Sequence, residues 1–289
     1  MSKMSESRES RAVREHTEVK SAFHVERDGH QEFSAPEVKI PQQSVAETAY
    51  SETKAHVLET YKNSISESRK EDLEALDTNE KLQVLSVNEY SNRFPGANPL
   101  VMGHCDSEGN IYIKAVSENA VSHISTHETM HLCSNRESGL NERGNWCIKS
   151  GLRETEIAPN RTIISDTGRA ANEGATEMYT LRELKQRGEV EAAQAMEAYP
   201  QLREWVERLE QIVGEEQLAD GYFGPQKEAL VAEFNRFDTE DKNAWETFTK
   251  NMDIVEYGTD AKEIQQAQQE LAEQYFRMIL EKDLKEGMS

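Results

Sequence analysis

Long apolar runs are missing from this 289-residue chain. No window approaches the roughly 20 apolar residues of a transmembrane helix, so no membrane span is expected. The first 20 residues lack the apolar core of a secretory signal. Positive charge is scarce: 33 Lys and Arg stand against 54 Asp and Glu, a net charge of −21. Such a surface repels phosphate backbones, which excludes ordinary nucleic-acid binding. Only three cysteines occur, Cys105, Cys133 and Cys147. An odd count without a framework points to reduced thiols and a cytoplasmic protein. Histidine is absent after residue 131, although eight occur before or at that position.

What is present is mostly helical pattern. Residues 1–42 are polar, rich in Ser, Glu and Arg, and carry His16, His24 and His30. They are expected to form a disordered leader whose histidines are solvated. A single domain is expected over 43–289, with an N-terminal lobe over 43–135 and a mainly helical C-terminal lobe over 136–289. Residues 44–66 read as a helix. Leu73, Leu76, Leu82, Val84, Leu85 and Tyr90 suggest one or two more. Residues 100–105 and 110–114 read as a hairpin around Asp106-Ser107-Glu108-Gly109. Ser117 is the expected cap of a helix over 118–133. Trp146–Leu152 and Arg161–Ile164 read as a further hairpin around Pro159-Asn160. Asp166 or Thr167 is placed to cap a helix from about 168. Leu202, Trp205, Val206, Leu209, Ile212 and Val213 form an apolar helical stripe ended by Gly214. Stripes over 230–237, 245–252 and 264–279 follow, the last two expected to be capped near Thr239 and Thr259. The fold class expected is therefore α+β, predominantly helical.

One stretch of the 118–133 helix carries chemistry. His127-Glu128-Thr129-Met130-His131 reads H-E-x-x-H. Residues four apart share a helix face, so His127 and His131 can offer two imidazoles to one metal ion. Glu128 can then act as general base on a water at that ion. Two ligands are too few, and no later histidine exists, so a carboxylate must complete the site. Asn172-Glu173-Gly174-Ala175-Thr176-Glu177 supplies Glu173 and Glu177, again four apart. The long spacer after His131 leaves either carboxylate open as the third ligand. Cys133 reads as a small buried residue rather than a ligand.

H-E-x-x-H followed by N-E-x-x-T-E resembles the gluzincins, the thermolysin-like clan of zinc metallopeptidases. It is also similar to short bacterial proteins that carry H-E-x-x-H and N-E-G-x-T-E. The resemblance covers residues 98–182 by motif. It implies a zincin-like fold with a small antiparallel sheet, an active-site helix and a helical C-terminal lobe. It implies one Zn2+ per chain on His127, His131 and Glu173, with Glu177 orienting a ligating histidine. It also implies a peptide or protein substrate. A second oxyanion donor is usual in such enzymes, and with no later histidine a tyrosine is expected. Tyr179 and Tyr222 qualify, and Tyr222, in Gly221-Tyr222-Phe223-Gly224 between helices, suits an exposed catalytic phenol. His123, one turn before His127 on the same face, reads as a partly exposed polar helix residue, with a contact to the ligands or the substrate as the alternative. Two other readings remain: a zincin-fold binding protein without turnover, and an exported toxin or effector protease whose leader is a non-classical signal.

Overall fold

The computed structural model describes residues 42–76, 81–106, 108–196 and 198–287. The expected leader, with His16, His24 and His30, lies outside the described residues apart from Gln42. Ser107, at the expected turn, also lies outside them. Among the described residues the chain is mixed α and β, about 62% helical, with two small sheets.

The N-terminal half opens with α1 (Gln42–Thr60) and α2 (Glu67–Ala75), followed by β1 (Leu82–Leu85), α3 (Val87–Arg93), β2 (Gly103–Cys105) and β3 (Ile111–Lys114). The expected hairpin is β2 and β3, antiparallel, with Gly103 opposite Ile113. β1 is a correction: Leu82 and Val84 form a strand, not a helix. It pairs parallel to β3, so this sheet is mixed rather than antiparallel, in the order β1-β3-β2. Its burial alternates in the period of two that a half-buried strand requires. The side-chain amide of Gln43, on α1, accepts from Val84 N–H at 2.9 Å and donates to the Leu82 carbonyl at 3.0 Å. It thereby pairs the edge of β1 as a neighbouring strand would.

α4 (Glu118–Cys133) packs between α1 and this sheet. Ser117 caps it as expected, accepting from Ala120 N–H. Nearly every residue from Ala120 to Cys133 is buried, polar ones included. Buried polar groups must be hydrogen-bonded, and these are. Ser125 donates to the Ala46 carbonyl at 2.8 Å, Thr129 to the Ser125 carbonyl at 2.6 Å, and Arg187 to Thr126 Oγ1 at 2.9 Å.

The spacer after α4 is richer in strand than one hairpin. β4 (Arg136–Leu140), β5 (Trp146–Ser150), β6 (Arg153–Ile157) and β7 (Ile163–Thr167) form an antiparallel meander in sequence order. β4 is polar and largely exposed. It has no apolar alternation, so only its backbone pairing defines it.

α5 (Arg169–Gln186) follows directly. Its cap is neither Asp166 nor Thr167. Gly168 occupies that position with φ +70, and Asp166 instead pairs with Arg153. The open amides are taken from a distance: the Asp253 carboxylate accepts from Gly168 N–H at 3.1 Å and Ala170 N–H at 2.8 Å. The rest is helical: α6 (Val190–Ala195), α7 (Pro200–Val213), α8 (Glu215–Phe223), α9 (Lys227–Arg236), α10 (Ala244–Tyr257) and α11 (Ala261–Glu286). The α7 stripe is buried as expected. α10 begins after Asn243, four residues past the cap expected near Thr239, and α11 is capped by Asp260, next to the expected Thr259. No helix among the described residues is long and apolar enough to cross a membrane.

Candidate metal centre

α4 and α5 pack face to face, which brings the two motifs together. The period of α4 puts His127 and His131 on the side that meets α5, where Glu173 and Glu177 share a face. Glu173 Oε2 stands 3.2 Å from His131 Nε2 and 3.5 Å from His127 Nε2. One ligand atom each of His127, His131 and Glu173 lies within 4.8 Å of the others. Tetrahedral zinc with bonds of about 2.0–2.1 Å separates its donor atoms by about 3.3 Å. The two His–Glu distances fit that spacing, and two imidazoles with a carboxylate are a donor set that zinc takes.

The remaining atoms decide which nitrogens are free. His127 Nδ1 lies 3.0 Å from Glu177 Oε2. A carboxylate accepts only, so Nδ1 donates to Glu177, and Nε2, which faces Glu173, is the nitrogen whose lone pair a metal would take in place of a proton. His131 Nδ1 lies 3.2 Å from Thr176 Oγ1 and 3.4 Å from Asn172 Nδ2. Thr176 donates its own proton to the Asn172 carbonyl at 2.8 Å. Its lone pairs can therefore accept from His131 Nδ1, an arrangement that would leave Nε2 to a metal. Both Nε2 atoms thus face one point, with Glu177 and Thr176 behind them.

Electrostatics reinforce this arrangement. Burial disfavours charge on Glu177, but hydrogen bonds from His123 and His127 overcome it and hold the carboxyl down to about 2. Burial likewise opposes charge on Glu173. The charges and hydrogen bonds of His131 and His127 outweigh it, holding Glu173 well below the usual carboxylate range. Burial also works against a charged His127, but bonds to Glu173 and Glu177 push it up to about 10 without a metal. Glu128 differs. Its burial dominates and raises its pKa, against the pull of His127 and His131. A carboxylate raised toward neutrality is a better proton acceptor than a solvated one.

Glu128 is held by strand β2, where the Cys105 amide donates to it. The approach depends on Gly103. A Cβ there would come 2.6 Å from Ile124 Cγ2 and 3.2 Å from Glu128 Oε1. His123 is fully buried behind the centre, bonded to Glu177 at 3.3 Å and to the Ala192 carbonyl at 3.1 Å. It supports Glu177 and has no access to a substrate.

Tyr222 departs from expectation. It is 0% exposed, lies within α8, and bonds through its hydroxyl to Thr176 at 2.7 Å. Phe223 and Tyr179 pack around its ring. An exposed clamping phenol is ruled out here, because α8 is continuous through Gly221 and turns Tyr222 inward. Its hydroxyl steadies the threonine behind His131 instead. Tyr179 is also buried, against Tyr61 and Phe223.

Three residues at the centre escaped the sequence reading. Tyr199 stacks on the His127 ring, with centroids 6.1 Å apart and planes 29° from parallel. It is left-handed at φ +50, a costly conformation for a tyrosine that precedes a proline. Glu173's charge, then burial, raises its phenol pKa. Arg169 and Tyr257 lie beside it. The Arg169 guanidinium carbon sits 4.6 Å from the Tyr257 ring centre. Pro200 at the first position of α7 was the available signal. It makes Tyr199 a helix cap, a position that tyrosine rarely fills.

Comparison of the chain with protein-family models, with curated proteins and with solved structures finds no match in any of the three.

Proposed function

We propose that this chain is a zinc-dependent metallopeptidase of the gluzincin type, on a zincin-like fold. The observation that carries the reading is the convergence of His127 Nε2, His131 Nε2 and Glu173 Oε2 on one point. The mixed sheet beside the H-E-x-x-H helix, and the second helix that brings Glu173, agree with it. The three free cysteines agree with a reducing, cytoplasmic setting.

When bound, zinc supplies Lewis acidity, which polarises a carbonyl and acidifies water. His127, His131 and Glu173 hold it. Glu177 and Thr176 keep the two imidazoles in the ligating tautomer. Glu128 takes a proton from the attacking water and delivers it to the leaving amine of a peptide or protein substrate. The Cys105 amide orients the Glu128 carboxylate throughout.

Glu128→Gln keeps the shape and removes the base. Peptide cleavage by the zinc-loaded variant, followed by mass spectrometry on a peptide mixture, is expected to fall by roughly 10²–10⁴-fold, with zinc content unchanged. Equal cleavage by wild type and variant would refute the assignment.

A further inference from the structure

Arg169 is a positive charge within electrostatic reach of Glu173 that neither the ligand set nor the general base uses. It sits one helical turn before Glu173, so the two share a face of α5. Its guanidinium stacks on Tyr257 at 4.6 Å. Among the described residues, no carboxylate forms an ion pair with it. Three of the four acidic groups nearby are otherwise engaged. Asp166 is paired with Arg153. Asp253 accepts from the Gly168 and Ala170 amides. Glu173 faces the two histidines. Glu256, on the last turn of α10, is exposed to water.

A half-buried guanidinium normally finds a carboxylate or a fan of carbonyls. Among the described residues the Arg169 side chain makes no hydrogen bond or ion pair; it stacks on Tyr257 and feels the charges of Glu173 and Asp166 from a distance, so its planar fork of donors is left over for something else. Tyr199 marks where that something would lie. Its ring covers His127, while its phenol is within electrostatic reach of Glu173, Tyr257 and Arg169. Its left-handed backbone is the kind of local strain that packing must hold in place. Arg169, Tyr199 and Tyr257 thus line one flank of the metal centre, with one positive charge and two phenols.

We infer that this flank is a carboxylate-binding subsite, and that Arg169 selects substrates carrying a carboxylate next to the bond to be cleaved. The inference rests on the metallopeptidase reading and narrows its substrate class. The carboxylate is either the free end of a peptide or an acidic side chain. Both present the same planar pair of oxygens to the guanidinium.

The test uses a pair of small zinc chelators on the full chain. One is succinic acid monohydroxamate, which carries a carboxylate, and the other is the matching amide. Acetohydroxamate serves as a neutral reference. Calorimetry on the zinc-loaded wild type is expected to show the carboxylate form binding at least about tenfold tighter than the amide, the usual advantage of a charge-assisted bidentate contact. In Arg169→Ala the preference should fall to within twofold while acetohydroxamate binds unchanged. In Arg169→Lys it should be intermediate, because lysine keeps the charge without the fork. Equal binding of the two forms by wild type, or a preference that survives in Arg169→Ala, overturns the subsite. Failure of the metal reading looks different: zinc does not load and acetohydroxamate does not bind. The subsite is then decided on the zinc-free chain with hydrocinnamate and its amide, where equal binding overturns it. Peptides with free or amidated ends, and with Glu or Gln after the scissile bond, separate the two sources. Cleavage indifferent to both changes overturns the inference.

Discussion

At the scale of single residues, the centre distinguishes two carboxylates that look alike in sequence. Glu173 and Glu177 lie four apart on α5, but Glu173 faces the Nε2 atoms and Glu177 faces Nδ1 of His127. Removing each should therefore do different things. Glu177→Gln leaves three donors in place but weakens the hold on the His127 tautomer. Its zinc affinity, measured by competition with a chromogenic chelator, is expected to fall about 10–100-fold. An unchanged affinity would contradict the role given to Glu177. This part of the site was legible because helical periodicity alone puts i and i+4 on one face. Arg169, Tyr199 and Tyr257 were not legible. They reach the centre from α5, α7 and α10, and their meeting depends on how those helices pack. Gly174 is one cause of that packing, since a Cβ there would come 2.6 Å from the Leu202 carbonyl oxygen. The glycine lets α7 press against α5 and carries Tyr199 over His127. Tyr222 shows the opposite error. Its flanking glycines suggested a loop, but Gly221 is needed for close packing, with Leu230 2.5 Å from where a Cβ would stand.

At the scale of elements, two supports of the site come from segments far away in sequence. Strand β2 brings the Cys105 amide to Glu128 only because Gly103 lacks a side chain. Gly103→Ala must displace Ile124 or the Glu128 carboxylate. It is expected to cost about 1–3 kcal/mol in a urea melt, and to lower peptide cleavage further than that loss of folded protein explains. Full activity per folded molecule would contradict the coupling of β2 to Glu128. The other support is the Asp253 carboxylate at the start of α5. Burial raises its pKa to about 6, although the Ala170 and Gly168 amides favour the ionised form. An unfolded aspartate titrates near ~3.9. Between those values the folded chain holds a proton that the unfolded chain has lost, so this group's contribution to stability falls as pH rises, and is constant above about 6. Asp253→Asn removes the titration and keeps one acceptor oxygen. Its stability relative to wild type, from urea melts between pH 4 and 7, is expected to rise with pH up to about 6. A difference independent of pH would contradict it. Elements were legible where a side-chain period defined them, as in α4, α5 and α7. β1 was missed because Leu82 and Leu85 also fit a helical spacing, and β4 because its residues are polar and only its backbone bonds reveal it.

At the scale of the whole molecule, the metal would join two parts of the chain that the sequence keeps apart. His127 and His131 belong to α4, which is built into the first sheet. Glu173 belongs to α5, which follows the four-stranded meander and packs against the C-terminal helices. Both His–Glu distances already match tetrahedral spacing and the three donors lie within 4.8 Å of one another, so zinc would enter a centre held by surrounding packing. The composition is consistent with this picture: an acidic surface with a net charge of −21 surrounds a core filled from both halves. The most direct test is zinc stoichiometry by native mass spectrometry on the wild type beside His131→Ala, Glu173→Ala and Glu177→Ala. The account predicts one zinc per wild-type chain, none on His131→Ala or Glu173→Ala, and a weakened but detectable ion on Glu177→Ala. No zinc on the wild type after reconstitution, or a full complement on Glu173→Ala, would contradict it.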